Sequence, residues 1–350
     1  MDTITHALSG ALLGRATKNN VSDQGLSLRV RILVGTLAAA FPDIDFIARF
    51  FGLLNYLEIH RGITHSFILL PLWALLLAHV FSKLSKGRYQ WRDFYFVCAS
   101  GLAIHILGDV ITAYGTMVFS PFSDARFSWP TTFIIDFYFT GIIVIALIAA
   151  TIFRQQGKNI AIVGLCVLIS YIAYQASLHN EAEKIAQEYV ERKSIEEAEI
   201  YVMPQALSPF HWKAIIKSSE TYYISYINLK SEAVFTVSET SSFFEKIKNI
   251  YRPVNKLQWM TVKQYGNDNE KLSKQIWYMS FMKSVRQFML YPVVDSVVKS
   301  KDRQCIWFKD HRFVLGRVRV APFKFGACKG YQSRWKPYHL LDGMAVPLFK

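Results

Sequence analysis

The sequence has few cysteines and no dense block of positive charge. Only four of its 350 residues are cysteine and no CxxC pair occurs, which argues against a zinc site built from paired thiolates. No run of lysine and arginine reaches the density of a nucleic-acid-binding arm, so no nucleic-acid partner is expected despite a net charge of +14. The start of the chain also lacks the pattern of a cleavable signal peptide, because it has Asp2 instead of a basic region and Arg15 interrupts the apolar stretch. Membrane insertion is therefore expected to come from internal spans.

The apolar and charged residues are unevenly distributed. Apolar residues make up 52% of the chain, and most of the surplus precedes residue 178. That part holds 13 basic and 9 acidic residues, whereas the remainder holds 27 and 17. The pattern predicts two domains, a membrane domain with the functional site over residues 1–178 and an extramembrane domain over 179–350. A basic domain beside a membrane favours an anionic lipid surface as its partner.

Apolar runs in the first half predict about five membrane spans, over residues 30–50, 66–82, 94–119, 132–153 and 160–178. Residues 2–14 are too short to cross the hydrocarbon and are expected to form a re-entrant helix. Basic residues gather in three of the connecting segments and predict that these are cytoplasmic: Arg15, Lys18, Arg29 and Arg31, then Lys83, Lys86, Arg88 and Arg92, then Arg154 and Lys158. Alternation then places residues 51–65, 120–131 and the whole C-terminal domain on the outer side.

The second half predicts a different kind of domain. An acidic helical stretch follows residue 178, and after it come short runs rich in aromatic and β-branched residues, which predict strands: YYISYINL, EAVFTV, KLQWMTV, QIWYMSF and QCIWF. The expected fold is α+β with a mainly antiparallel sheet. Cys305 and Cys328 would be able to form a disulfide outside the cytoplasm, but the sequence does not show that they meet.

The membrane domain carries ionisable residues of one chemical kind. Such groups are costly inside spans and indicate function. The predicted topology brings eight of them to the outer membrane boundary as candidate metal ligands: His6, Asp43, Asp45, His60, His65, His105, Asp109 and Asp136. His105 and Asp109 are four residues apart and share a helix face. Pro42 breaks the chain just before Asp43 and Asp45, which favours a bend that turns both carboxylates towards a cavity.

Mixed imidazole and carboxylate ligands indicate a divalent metal, with Zn²⁺ first and Mn²⁺ or Fe²⁺ also compatible. Several aspartates would also be able to bridge two ions. Two residues have a second interpretation. Asp136 would also be favourable as a charge at a helix N-terminus. Arg61 is either a solvated loop residue or a ligand for a substrate phosphate.

Four segments together resemble a known family. THALSGALLGR, FPDID, HRGITHS and HILGDVITAYGT are similar to the bacterial inner-membrane family of membrane-bound metal-dependent hydrolases, the YdjM type. The family's metal motifs are matched at His6, Asp43, Asp45, His60, His65, His105 and Asp109. PQALSPFHW at 204–212 is similar to a Pro-rich segment of the family, with Ser208 where asparagine is usual. The resemblance implies an inner-membrane hydrolase with a variable C-terminal part.

The resulting hypothesis is metal-dependent hydrolysis, with a phosphoester at the outer face as substrate, membrane lipid as partner, and Asp43, Asp45 and Arg61 in catalytic roles. Two other classes remain open. A metal-ion transporter would use the same ligands as a transit site. A non-catalytic sensor or scaffold would hold a structural metal. Ligands at one membrane level argue against transport, and eight candidates exceed one closed tetrahedral shell.

Overall fold

A computed structural model describes residues 1–17, 25–232, 242–315, 323–330, 333–341 and 343–348. These residues divide into two units. The helical unit comprises Met1–Phe46, Ile59–Asn180 and Met203–Pro209, and the C-terminal unit comprises Ile47–Glu58, Glu181–Val202 and Phe210–Lys350. The main boundary lies close to residue 178, and each unit also includes a short segment from the other side of it. Lys18 and most of the run EAVFTV lie outside the described residues.

The first 193 residues are mostly helical. The helices are α1 (Thr3–Ala16), α2 (Leu28–Ala40), α3 (Leu53–Ile59), α4 (Leu70–Leu84), α5 (Trp91–Val110), α6 (Phe137–Ile152) and α7 (Gly157–Lys193), with 3₁₀ helices at Phe41–Phe51 and Ile63–His65.

Among the described residues, α5 and α7 are long and apolar enough to cross a membrane. A third span is counted if the helices before and after the break between His65 and Leu70 form one bent span, and α6 is a shorter apolar helix. The helical region thus has two to three candidate spans, and the expected number of five is not confirmed.

Local chemistry explains why two of the expected spans are shorter than their apolar runs. The run over 30–50 changes from α-helix to 3₁₀ helix at Phe41, beside Pro42, which lacks the amide hydrogen that an α-helix needs. The run over 94–119 stops being helical after Val110. The carbonyls of Val110 and Ile111 accept hydrogen bonds from the amides of Trp129 and Thr131, so residues of the following loop satisfy the end of α5.

Small residues let α1, α2 and α5 approach one another closely. Gly10 and Gly14 form a GxxxG pattern on α1 and face α2. A Cβ atom built on Gly10 would lie 2.1 Å from the carbonyl oxygen of Gly35, and one on Gly101 would lie 2.9 Å from the Cβ of Ala38. On α5, a Cβ atom on Gly108 would lie 3.0 Å from Cε1 of His6. This close packing brings polar residues of α1 and α5 into contact.

The α1–α2 contact yields a stability prediction. Gly10→Ala should destabilise the protein by about 1–3 kcal/mol, because the new methyl group forces the two backbones apart. Gly141→Ala is the matched control, since a Cβ atom on Gly141 in α6 meets nothing within 4 Å. It should be neutral or stabilise by up to about 1 kcal/mol. Thermal unfolding in detergent measures both, and equal midpoints would contradict the close packing.

The C-terminal unit contains two five-stranded sheets. The first has the order β1 (Glu199–Pro204), β2 (His211–Ser218), β3 (Thr221–Asn228), β4 (Arg252–Pro253), with β5 (Met260–Lys263) also paired to β3. The second has the order β10 (Met344–Pro347), β9 (Lys336–Leu341), β8 (Lys324–Gly330), β7 (Arg303–Asp310), β6 (Pro292–Lys299). The described pairings are antiparallel apart from the short β3–β4 pair, which confirms the expected antiparallel domain. Among the described residues that follow β3, three short helices lie between strands: α8 (Phe243–Lys248), α9 (Glu270–Trp277) and α10 (Lys283–Phe288).

One expected strand is a helix. The run QIWYMSF begins inside α9 and continues into a 3₁₀ turn at Ser280–Met282. The buried residues Ser273, Ile276 and Trp277 follow the helical spacing of three and four, so the preceding residues EKLSK belong to the same amphipathic pattern.

Cys305 and Cys328 form a disulfide between directly paired positions of β7 and β8. Cys98 and Cys166 are free. The crosslink closes a loop of 23 residues, for which chain entropy predicts a stabilisation of about 3 kcal/mol.

The cysteine pairing is directly measurable. Alkylation of the unfolded protein without reductant should label Cys98 and Cys166 only, and reduction should expose two further thiols to the reagent. Intact mass gives the count. Labelling of all four cysteines before reduction would show that the disulfide does not form in the cell.

Candidate metal centre

Polar side chains from four separate segments of the helical unit meet in one place. His6 lies on α1, Asp43 follows Pro42 in the 3₁₀ helix, His65 ends the short 3₁₀ helix before α4, and His105 and Asp109 lie on α5. They form two overlapping groups of possible metal ligands, and in each group the ligand atoms lie within 4.8 Å of one another. The groups are His6, His105, Asp109 and Asp43, His65, His105.

The ligand atoms of Asp43, His65, His105 and Asp109 have the separations of a coordination shell. Nε2 of His65 lies 3.0 Å from Nε2 of His105 and 3.2 Å from Oδ2 of Asp109. Nε2 of His105 lies 3.6 Å from Oδ2 of Asp109, and Oδ1 of Asp43 is 3.6 Å and 3.8 Å from the two imidazole nitrogens. A tetrahedral shell with bonds of about 2.0 Å has ligand atoms about 3.3 Å apart. The five separations above run from 3.0 to 3.8 Å and lie near this value.

The hydrogen bonds on the far side of each imidazole indicate which nitrogen carries the proton. Nδ1 of His105 is 2.5 Å from the carbonyl oxygen of Ala39, an acceptor, so Nδ1 donates and Nε2 is left as a bare lone pair. Nδ1 of His65 is 2.9 Å from the hydroxyl of Thr64, which in turn donates to Asp45. Nε2 of His105 therefore presents a lone pair to Nε2 of His65 and to Oδ2 of Asp109, a buried oxygen without a hydrogen-bond partner. Two imidazoles and two carboxylates gathered in this way fit a divalent metal ion.

The second oxygen of Asp109 is held by donors. Oδ1 lies 2.8 Å from Nη2 of Arg61 and 3.1 Å from Nε2 of His6, and the nitrogen of Met1 also contacts it. The ring of His6 stacks on that of His105 with centroids 3.7 Å apart. These contacts fix the orientation of Asp109 and leave Oδ2 for the metal.

Asp45 organises the loop that carries the ligands. Its carboxylate accepts hydrogen bonds from Nδ1 of His60 at 2.8 Å and from the amide of Arg61 at 3.0 Å, and it lies 3.4 Å from Nδ1 of His65. Asp45 and His60 belong to neither ligand group found among the described residues. The structure gives Asp45 the position of a residue that orients a histidine ligand.

Arg61 is buried beside the centre and is not a solvated loop residue. Its guanidinium contacts Asp109 and Thr112, and its carbon Cζ lies 4.9 Å from the centre of the Tyr114 ring. Its φ angle is 60°, in the left-handed region that costs a non-glycine residue about 1–2 kcal/mol. Two hydrogen bonds hold this conformation. The amide of Arg61 donates to Asp45, and the carbonyl of Arg61 accepts from the amide of Met117 at 2.8 Å.

Asp136 has a different place. It is the N-cap of α6, where Oδ1 accepts from the amides of Tyr138 and Phe139 at 2.9 Å each and Oδ2 accepts from the hydroxyl of Tyr171. It belongs to neither ligand group. This is the helix N-terminal role that the sequence left open for Asp136.

Sequence reasoning did not single out the residues that support the ligands. They are Thr3, whose hydroxyl donates to Asp43 at 2.5 Å, Thr64, Thr112, Tyr114 and the carbonyl of Ala39. Thr64, Thr112 and Tyr114 lie inside the segments HRGITHS and HILGDVITAYGT, whereas Thr3 lies two residues before THALSGALLGR.

The roles of Asp45 and Asp136 lead to opposite predictions. Asp45→Asn should weaken metal binding by about 10–100-fold, because an amide no longer accepts from all its donors and His65 loses its fixed ring orientation. Asp136→Asn should leave metal affinity unchanged, since asparagine is also a good N-cap. Competition with a chelator measures both affinities, and an equal effect of the two variants would contradict the assignment.

The chain is similar to a known protein family and to a bacterial relative. The family model described as YdjM inner membrane protein matches residues 1–182. A relative in Bacillus subtilis (strain 168), described as uncharacterized protein YfhP, is 26% identical over 230 residues, which cover 64% of this chain and 67% of the relative. No solved structure matches the chain. The matched region includes α1 to α6, most of the apolar part of α7 and every member of both ligand groups, and the chain belongs to the YdjM inner membrane protein family.

Proposed function

We propose that this protein is a metal-dependent hydrolase of the inner membrane that cleaves a phosphoester at the outer face. The observation that carries the proposal is the convergence of the Nε2 atoms of His65 and His105 with the unpartnered Oδ2 of Asp109 in a buried site. Asp43, His65, His105 and Asp109 would hold the ion. Two imidazoles with two carboxylates favour Zn²⁺, with Mn²⁺ as the next choice.

A bound divalent ion supplies Lewis acidity, which makes water a nucleophile near neutral pH and polarises a phosphoester. The protein's own residues divide the remaining work. Asp43 is the partly exposed member of the ligand set and is in position to accept a proton from water. Arg61 offsets the charge of Asp109, and Asp45 orients His65, so both act as positioning residues in this proposal.

The reaction that fits these groups is a simple hydrolysis. The oxygen of water forms the new bond to phosphorus and the ester P–O bond breaks. The leaving alcohol keeps the electron pair of that bond and takes up a proton, while the proton lost by water passes to a carboxylate. No oxidant or further substrate is needed.

Two observations support placement of the site and the C-terminal domain outside the cytoplasm. Lys83 lies in the last turn of α4, at the end farther from the centre, and Lys86 and Arg88 follow that end. Such residues prefer the cytoplasmic side. The disulfide between Cys305 and Cys328 is of a kind that persists in oxidising compartments. Membrane lipid is the proposed partner, and no nucleic-acid partner is proposed.

The proposal is tested by metal content and activity together. The wild-type protein purified in detergent should hold metal in stoichiometric amount and release phosphate or alcohol from a panel of phosphomonoesters and phosphodiesters, both water-soluble and detergent-dispersed. Asp109→Ala and His105→Ala should lose both the metal and the activity.

His79→Ala is the matched control, because His79 lies on α4, stacks on Trp91 and belongs to neither ligand group. It should retain metal and turnover. A wild-type protein without metal, or a His105→Ala variant with unchanged metal content and activity, would overturn the proposal.

A further inference from the structure

The metal centre is closed on most sides. His65, His105 and Asp109 have no exposed side-chain surface, whereas 18% of the Asp43 side chain is exposed. A substrate that reaches this centre must therefore pass Asp43 and the residues around it.

The residues around Asp43 are unusually apolar for the entrance to a site of charged ligands. The hydroxyl of Thr3 bonds to Asp43, which brings the first turn of α1 to this point, and the next residue, Ile4, is 72% exposed. Ile44 follows Asp43 directly and is exposed as well. Ile63 precedes Thr64, whose hydroxyl bonds to Asp45, and it is also exposed. We call Ile4, Ile44 and Ile63 the isoleucine rim.

The two helices next to these segments in the chain also expose apolar residues. On α2, Leu33 and Leu37 are exposed and share one helix face, because they are four residues apart. The 3₁₀ helix that carries Asp43 follows α2 directly. On the α4 side, Ile68, Leu72 and Leu76 are exposed at intervals of four, while Ala74 and Ala78 are buried. In a protein of an inner-membrane family, exposed apolar rows of this kind face lipid chains.

We infer that the metal centre opens sideways to the bilayer and that its substrate is a membrane lipid with a phosphoester headgroup, whose acyl chain lies against the isoleucine rim. The polar side of the entrance, with Thr3 and the partly exposed His60, receives the headgroup. The inference rests on the proposed hydrolase function and deepens it, because it identifies the substrate class by its hydrophobic part. An acyl chain against three isoleucines gains affinity by removal of apolar surface from water or from the headgroup region.

The test compares lipids with their own headgroups. Full-length, metal-loaded protein in lipid nanodiscs receives dioleoyl phosphatidic acid or dioleoyl phosphatidylglycerol, and in parallel the deacylated counterparts glycerol phosphate and glycerophosphoglycerol. The inference predicts that kcat/KM for at least one lipid exceeds that for its deacylated headgroup by about 100-fold or more, which corresponds to the contribution of one to two buried apolar side chains.

The rim is tested by Ile4→Asn and Ile44→Asn. Each should lower kcat/KM for the lipid by about tenfold, with metal content and turnover of any accepted soluble ester unchanged. Leu84→Asn is the matched control, because Leu84 is 71% exposed but lies at the far end of α4, about 20 Å along the helix from its first residue. It should leave turnover of the lipid unchanged.

The outcomes separate the two claims. Equal turnover of lipid and headgroup, or equal losses for Ile4→Asn and Leu84→Asn, would overturn the lateral opening and leave the hydrolase function intact. If metal-loaded protein hydrolysed neither these compounds nor any phosphoester of the wider panel, the hydrolase function would fail, and the lipid substrate with it.

Discussion

The convergence of lone pairs at the buried centre is the constraint on which the rest of the helical unit depends. Nδ1 of His105 donates to a backbone carbonyl on its far side, so its Nε2 atom carries a lone pair, and this atom lies 3.0 Å from Nε2 of His65. Oδ2 of Asp109 adds further negative potential at the same point. Without a cation, the arrangement combines desolvation with repulsion, and both are costly in a medium of low dielectric constant. With a cation, the same contacts become a coordination shell whose outer hydrogen bonds are already in place.

The fold provides this centre through close helix packing and a folded-back loop. Glycines on α1, α2 and α5 allow backbone contacts that larger residues would prevent, and Gly108 leaves the space that His6 occupies. The loop after α5 returns to cap the helix at Val110, one residue beyond Asp109. The candidate ligand Asp109 therefore lies at the capped end of the helix. The partly exposed Asp43, followed by the exposed Ile44, leaves access to the same centre. Packing, capping and access are thus parts of one arrangement.

Much of the site was visible in the sequence because its signals are local. The spacing of His105 and Asp109 fixes a shared helix face, and Pro42 marks the break before Asp43. Roles that depend on contacts made only in the folded structure are not visible in the sequence. A ligand aspartate and an N-cap aspartate look alike in sequence. The role of Asp136 follows only from its contacts with the amides of α6, and that of Asp45 only from the loop that folds back onto it. The span boundaries were overestimated for the same reason, since hydropathy does not register that Trp129 caps α5. The alternation within QIWYMSF predicts a strand. The helical pattern appears only when the charged residues before this run are included.

The most direct measurement of the central claim is X-ray absorption spectroscopy of the purified, metal-loaded protein. The structure predicts one tightly held ion with only nitrogen and oxygen neighbours, including two imidazoles whose outer-shell scattering is characteristic, and a spectrum that loses one imidazole in His65→Ala. A spectrum with sulfur neighbours, with no imidazole scattering, or unchanged by His65→Ala would contradict the account.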